Sequence, residues 1–354
     1  MESLDNLLKE GVDEKVFSAV SAWVGVDGQC VYEGNAGSLD PEAGVPVTGG
    51  SIFDLASLTK VLGTTPVLMH LVSEGSISPE DFLWYYLPEW RDGKEREGIR
   101  LHHLLQHSSG LPAHRAFYQE LKDVPESLRR KERLSLIRNT PLEFCPGEQT
   151  LYSDLGFMLL KEVVEKVTGE AFGPRVMAAL PSGAEKKIFF PALTGGAGPD
   201  CVCTGESQVR KRLLTGEVHD ENAAFMGGVD GQAGLFGTAA GVGEVGHALM
   251  EAWYGLSSWL PASVLHRFIY WPEDGKRPLG FDRPSGMKSS CGSFFSKSTA
   301  GHLGFTGTSL WMDMKNKIIV VLLSNRVYYG ELNWKIRSFR PCFHDCVMRT
   351  FGLA

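Results

Sequence analysis

Phe53-Asp54-Leu55-Ala56-Ser57-Leu58-Thr59-Lys60 sets a serine hydroxyl three residues before a lysine amine. Residues three apart share one face of a helix, which brings Ser57 Oγ and Lys60 Nζ within reach of a hydrogen bond. A serine at its ordinary acidity is a poor nucleophile, and an adjacent base that accepts its proton makes it a usable one. The spacing therefore points to acyl transfer through a covalent serine ester. Asp54 is a candidate helix cap, which puts Ser57 in a first turn, where free N–H groups and the dipole favour developing negative charge. Val61, Leu62, Val67, Leu68 and Leu71 predict a long, buried continuation of that helix. The pattern by itself is cheap, since Ser285-Gly286-Met287-Lys288 repeats it in a Pro- and Gly-flanked stretch that reads as loop.

Around this segment lies an ordinary globular composition: 354 residues, 43% apolar, 22% charged, with a formal charge of -7. Such a chain buries a sizeable core, and its acidic balance argues against a nucleic-acid partner. The densest basic run, Arg129-Arg130-Lys131-Glu132-Arg133, falls in an amphipathic pattern and reads as a solvated helix face. Seven cysteines without a framework spacing read as free thiols of a reducing compartment. Cys342 and Cys346 lack a second ligand pair, so neither a metal nor a cofactor is expected. Residues 1–10 read as a surface helix stopped at Gly11, without the basic start and apolar core of a secretory signal. The apolar run 318–323 is far too short to span a bilayer. The expectation is a soluble chain, cytoplasmic as given and periplasmic if a leader was removed, of undetermined oligomeric state.

Residues 16–32 read as a β-hairpin broken at Asp27-Gly28, and residues 308–324 as a second, apolar on both faces and therefore central in a covered sheet. Helical patterns stand at 62–74, 79–86, 101–106, 126–139, 155–168 and 332–349, while 195–246 is glycine-rich and reads as long loops. Strands, then helices, then strands imply an α+β fold, an antiparallel sheet built from both chain ends with a helical insertion. The expected division is an α/β lobe of residues 1–62 and 226–354 and a mainly helical lobe of 63–225, with the site in the cleft between them.

Two further elements carry chemistry. Tyr152-Ser153-Asp154 places a phenol and a carboxylate two apart, facing one way, and a nearby ammonium lowers the phenol's pKa toward the working range of a general base. Taken alone, the same residues also fit a packed tyrosine and a helix-capping aspartate. Gly301-His302-Leu303-Gly304-Phe305-Thr306-Gly307-Thr308 is dense in glycine just before a strand, which allows another backbone to approach an edge whose N–H groups are free.

In this order the three elements resemble the serine β-lactamase and penicillin-binding-protein superfamily, and most of all its class C β-lactamase-related branch with its D-Ala-D-Ala carboxypeptidases and esterases. Stretches 104–112, 146–148, 216–223 and 231–236 agree, and the similarity runs from about residue 15 to 330. The resemblance implies Ser57 as the acylated nucleophile, with Lys60 and Tyr152 sharing the proton relay. It implies an oxyanion hole from the backbone N–H groups of Ser57 and Phe305, with Asp154, His302 and Gly304 lining the substrate site. His107, Gly110 and residues 218–223 are expected to hold the cleft walls.

Two departures bear on substrate. Asp154 stands where class C β-lactamases usually have Asn, and an ionised carboxylate cannot donate to a substrate amide. His302-Leu303-Gly304 replaces Lys-Thr-Gly, so a weak, pH-dependent charge stands in for a permanent one. Both weaken recognition of a substrate carboxylate and leave the nucleophile untouched. The expectation is a serine hydrolase of ester, amide or β-lactam substrates, esterase- or peptidase-like. The alternatives are a penicillin-binding protein or D-Ala-D-Ala peptidase that deacylates slowly, or an idle ligand-binding scaffold.

Overall fold

The computed structural model describes residues 1–92, 95–269, 277–286 and 289–354, so Met287 and Lys288 of the second Ser-x-x-Lys pattern lie outside the described residues. Strands β1 (Ala19–Val26), β2 (Gln29–Gly37), β3 (Thr299–Leu303), β4 (Ser309–Asp313) and β5 (Ile318–Ser324) form one antiparallel sheet in the order β2-β1-β5-β4-β3. The two ends of the chain meet in its middle, where Val20 pairs with Ser324 and Val26 with Ile318. Asp27 and Gly28 turn between β1 and β2 with φ of 47° and 82°, the positive pair that a two-residue hairpin of the right twist requires. Asn325 locks the junction, accepting from Ser18 N (3.0 Å) and Ala19 N (2.8 Å) and donating to the Ser18 hydroxyl and Cys203 carbonyl (2.7 Å each).

Helices α1 (Glu2–Asp13), α2 (Thr65–Ser73), α3 (Asp154–Thr168), α4 (Ala239–Trp253) and α5 (Ile336–Thr350) complete the frame. The alternation of β5 explains why it is apolar throughout. Ile318, Val320 and Leu322 pack with Leu4 and Leu8 of α1 and Phe343 and Val347 of α5. Ile319, Val321 and Leu323 face the other way, toward Val242, Val245 and Leu249 of α4. That second cluster continues without a break into Leu68 of α2, Phe157 and Met158 of α3, Leu104 and Trp90. Each such buried side chain contributes about 1.5–3 kcal/mol relative to exposure.

Four local expectations change. Stretch 195–246 is not all loop: it holds the hairpin Cys203–Ser207 and Arg212–Thr215, the short helix Glu221–Phe225, and the start of α4. The glycines of α4 serve close packing, because a Cβ on Gly243 would stand 2.5 Å from the Trp23 ring. Likewise α1 runs through Gly11, where a Cβ would stand 2.5 Å from Phe17. The basic run on Glu126–Asn139 is a solvated face only in part: Lys131 is exposed, but Arg133 is fully buried against Asp230 and Glu162, and the half-exposed Arg130 pairs with Glu162 (2.5 Å) and Glu165 (2.6 Å). The helix expected at 79–86 shrinks to Leu83–Tyr86, since Asp81 accepts from Ser78 N and from the Tyr86 hydroxyl (2.6 Å each) and holds a turn before it.

Candidate active site

Phe53–Asp54 forms a two-residue strand against Phe236–Gly237, and the buried Asp54 carboxylate accepts from Ala56 N (2.8 Å) and His219 N (2.7 Å). Asp54 therefore does not cap an α-helix. It holds a sharp turn in which Ala56 has φ +47°, a conformation that a non-glycine residue rarely adopts. Ser57 sits in the 3₁₀ turn Ala56–Leu58, and Lys60 opens a π-turn, Lys60–Thr64, that leads into α2. Residues 231–235 impose this path. Thr64 Oγ1 donates to Gly231 O (2.6 Å), Lys60 Nζ to Gln232 O (3.2 Å), and Leu235 N to Thr59 Oγ1 (3.1 Å). Single π-turns inside helices are frequent at functional sites.

Lys60 Nζ is fully buried and uses its three donors on Gln232 O, Ser57 Oγ (3.0 Å) and Asp154 Oδ1 (2.7 Å). Burial alone favours the neutral amine, but the charge of Asp154 and the Tyr152 phenol outweigh it and hold Lys60 above its ordinary pKa. Asp154 is the first residue of α3, and the extended Ser153 before it turns Tyr152 and Asp154 to the same side. Burial opposes ionisation of Asp154, yet Lys60 and His114 (Nδ1 to Oδ2 3.8 Å) keep its carboxyl well below the usual range.

Tyr152 stacks on His107 with ring centroids 4.4 Å apart, and Lys60 Nζ lies 5.0 Å from its ring centre. His107 accepts from Ser153 N at Nδ1 (3.0 Å), which fixes the tyrosine's neighbour on the chain. The expected low phenol pKa is not found. Burial pushes it up, the Lys60 cation pulls it down, Asp154 pushes it up again, and the balance lies above its ordinary value.

The end of β3 is stapled to the turn before Ser57. Thr306 Oγ1 donates to Asp54 O (2.8 Å) and Thr308 Oγ1 to Leu55 O (3.2 Å). Gly304 allows that approach, because a Cβ there would stand 2.0 Å from Thr308 Oγ1 and 2.8 Å from Leu55 O. The Phe305 ring is 44% exposed. His302 is buried, 5.8 Å from the Tyr152 ring, with Nδ1 2.7 Å from Leu303 O. Burial lowers its pKa to about 4 against the pull of Asp282, with Lys60 and Arg277 adding to the fall. It is neutral at pH 7 and supplies no charge that fades near pH 6.5.

Sequence reasoning missed two basic residues at this site. Arg277 has Cζ 5.7 Å from the Tyr152 ring, is ion-paired with Asp282, and has its carbonyl bound by Gln106 Nε2 (2.7 Å). Asp282 in turn exchanges backbone hydrogen bonds with Gly301 of β3 (2.6 and 3.0 Å). His114, half-exposed beside Asp154, is the other, its pKa raised by that carboxylate. No motif marks either residue, and only tertiary structure brings them in. Among the described residues, no helix is long and apolar enough to cross a membrane.

Known proteins share this frame. A protein of Escherichia coli strain K12 provisionally named D-alanyl-D-alanine carboxypeptidase is 32% identical over 360 residues, covering 92% of this chain and 82% of its own. The octameric penicillin-binding protein homologue of Pyrococcus abyssi superposes with a TM-score of 0.77 at 21% identity, covering 99% of this chain and 77% of that one. EstCE1, described as a hydrolase with promiscuous acyltransferase activity, gives 0.71 at 18% identity over 96% and 98% of the two chains. With residues 4–336 matching the family described as Beta-lactamase, a span that takes in Ser57, Tyr152 and the β3 edge alike, the chain belongs to that family.

Proposed function

We propose that the protein is a serine hydrolase that works through an acyl-enzyme on Ser57, taking ester or peptide carbonyls in preference to antibiotic lactams. The observation that carries this reading is the buried Lys60 ammonium, hydrogen-bonded at once to Ser57 Oγ and Asp154. Ser57 Oγ bonds to the carbonyl carbon while its proton passes to the Tyr152 phenolate. The carbonyl electrons move onto oxygen, held by the N–H groups of Ser57 and Phe305. Collapse breaks the bond to the leaving group, which takes the proton from Tyr152. Water then repeats the sequence, releasing the acid and restoring Ser57.

Lys60 is held cationic by Asp154, so it orients Ser57 and steadies the phenolate instead of acting as base. Ionising a phenol of pKa about 10 costs about 4 kcal/mol at pH 7, and more where burial and Asp154 push the pKa up. Acylation is therefore expected to speed up as pH rises above neutral. Arg277 supplies the permanent cation that the His302 strand lacks, and a free carboxylate on the substrate is its natural partner. The D-alanyl-D-alanine carboxypeptidase name carried by the Escherichia coli relative fits such a substrate. Intact-mass measurement after exposure to a penicillin and to a p-nitrophenyl ester tests the reading. An adduct on the wild type that is lost in Ser57→Ala is expected, and no adduct with either compound overturns it.

A further inference from the structure

Phe305 sits in the turn between β3 and β4, just beyond the end of the edge strand β3, and is exposed. An exposed turn is a poor place for a hydrogen-bond donor that must point at one spot, because a productive donor has to hold its direction to within about 10–20°. One side chain grips this residue. Arg326, in the 3₁₀ turn Arg326–Tyr329 after β5, donates from Nε to Phe305 O (2.8 Å), and its backbone N–H donates to Thr306 O (2.8 Å). Its guanidinium lies 4.7 Å from the Phe305 ring and 4.6 Å from the Trp334 ring. Nη1 donates to Glu331 O (2.8 Å) and Asn333 O (3.0 Å), so the group is fixed from behind. The residue is only 3% exposed, although it neighbours a residue at the rim.

We propose that Arg326 is the positioning residue of the oxyanion hole. It holds the backbone of residue 305 so that the Phe305 N–H converges with that of Ser57. The inference rests on the acyl-enzyme reading, in which those two groups receive the oxyanion. A physical path joins the two donors: Arg326 binds the Thr306 carbonyl, and the Thr306 hydroxyl binds Asp54 O, three residues before Ser57. Lysine does not replace this group. Its point charge has neither the planar fork that donates to three carbonyls nor the flat face that stacks between two rings.

The test uses the full chain with Arg326→Gln and Arg326→Lys, a p-nitrophenyl ester as substrate and a simple alkyl boronic acid as probe. The boronate forms a tetrahedral adduct on a serine and places an oxygen where the oxyanion stands. Arg326→Gln is expected to lower kcat and boronate affinity together by about 10- to 100-fold, less than outright loss of a donor, with KM within about twofold. The rise of rate with pH should keep its wild-type position, because the relay through Tyr152 is untouched. Arg326→Lys is expected to recover little, and it carries the same test if the Gln variant melts below assay temperature. Boronate affinity within twofold of wild type in a folded variant overturns the assignment, as does a loss of kcat that boronate binding does not follow. Failure of the wild type to be acylated at all overturns the acyl-enzyme reading instead, and the two failures cannot be confused.

Discussion

On the Ser57 side of the site, charge is dense and compensated: Lys60 is bound to Asp154, Asp154 faces His114, and the buried cation has no donor left over. On the β3 side, His302 is neutral and Gly304 carries no side chain, so that edge offers backbone, an exposed phenyl ring and no charge of its own. Arg326 on that side is buried with its donors spent on carbonyls, and the other arginine there, Arg277, comes from a separate segment and is tied to β3 through Asp282. The difference separates two tasks. In the proposed mechanism bond making rests on groups packed directly against Ser57, from its own turn and from the start of α3, whereas recognition falls to a side chain brought in from a third segment. Substitutions of the side chains around Ser57 should therefore fail in kcat and substitution of Arg277 in KM, while Arg326, which acts through the Phe305 N–H, falls with the first group.

The largest effect after loss of the nucleophile is expected at Tyr152. Tyr152→Phe should slow acylation by about two to four powers of ten, the usual worth of a general base. Near-normal rates in that variant, followed by stopped-flow with a p-nitrophenyl ester, would hand the base role to Lys60. Asp154→Asn comes next and has the opposite sign at neutral pH. Asp154 pushes the Tyr152 pKa up, so with Lys60 still charged, removing the carboxylate should bring the phenol down and move the rise of rate with pH toward neutrality. Each unit of that movement is worth about tenfold in rate at pH 7, since the phenolate fraction follows it. A lower rate with an unmoved profile would show that Asp154 is part of the relay itself.

Why the motif residues on both sides were legible in the sequence and the arginines facing β3 were not follows from distance along the chain. Ser57 and Lys60 are three apart and Tyr152 and Asp154 two apart, and local geometry dictates what such neighbours share. The sheet was legible for the same reason, because each hairpin carries its own turn and alternation. Nothing local announces the π-turn at Lys60, which depends on a Thr64 hydroxyl bonded to a carbonyl 167 residues later. The helical character of α4 was hidden by glycines whose purpose is contact with Trp23. Charge states were the least legible of all. A histidine looks the same in sequence whether exposed or buried, and at His302 burial decides that it stays neutral. Arg277 and Arg326 belong to no motif, and only the folded chain brings them to Tyr152 and Phe305.

On the recognition side, Arg277→Gln should raise KM for a peptide ending in a free carboxylate by about tenfold, the loss of one charge-assisted contact, and leave an uncharged ester's KM unchanged. Equal changes for both substrates would mean that the arginine only shapes the loop. The smallest expected effect is the most pointed, because it is a null. If His302 read the carboxylate as a cation, affinity for anionic substrates would fall as pH rose through about 6.5, where an unperturbed imidazole loses its proton. Burial has moved that event to about pH 4, so in a His114→Gln background, which removes the other imidazole of the site, the KM of the carboxylated peptide should be flat between pH 5 and 8. The same burial has a cost at the acid end. Between about 6.5 and 4 the unfolded chain binds a proton at this position that the folded chain refuses, so the fold should lose stability as pH falls through that window. A KM that climbs near pH 6.5 in that background, in a protein whose melting temperature stays level from pH 6.5 to 4, would return the charge to the strand and make the two sides of the site alike.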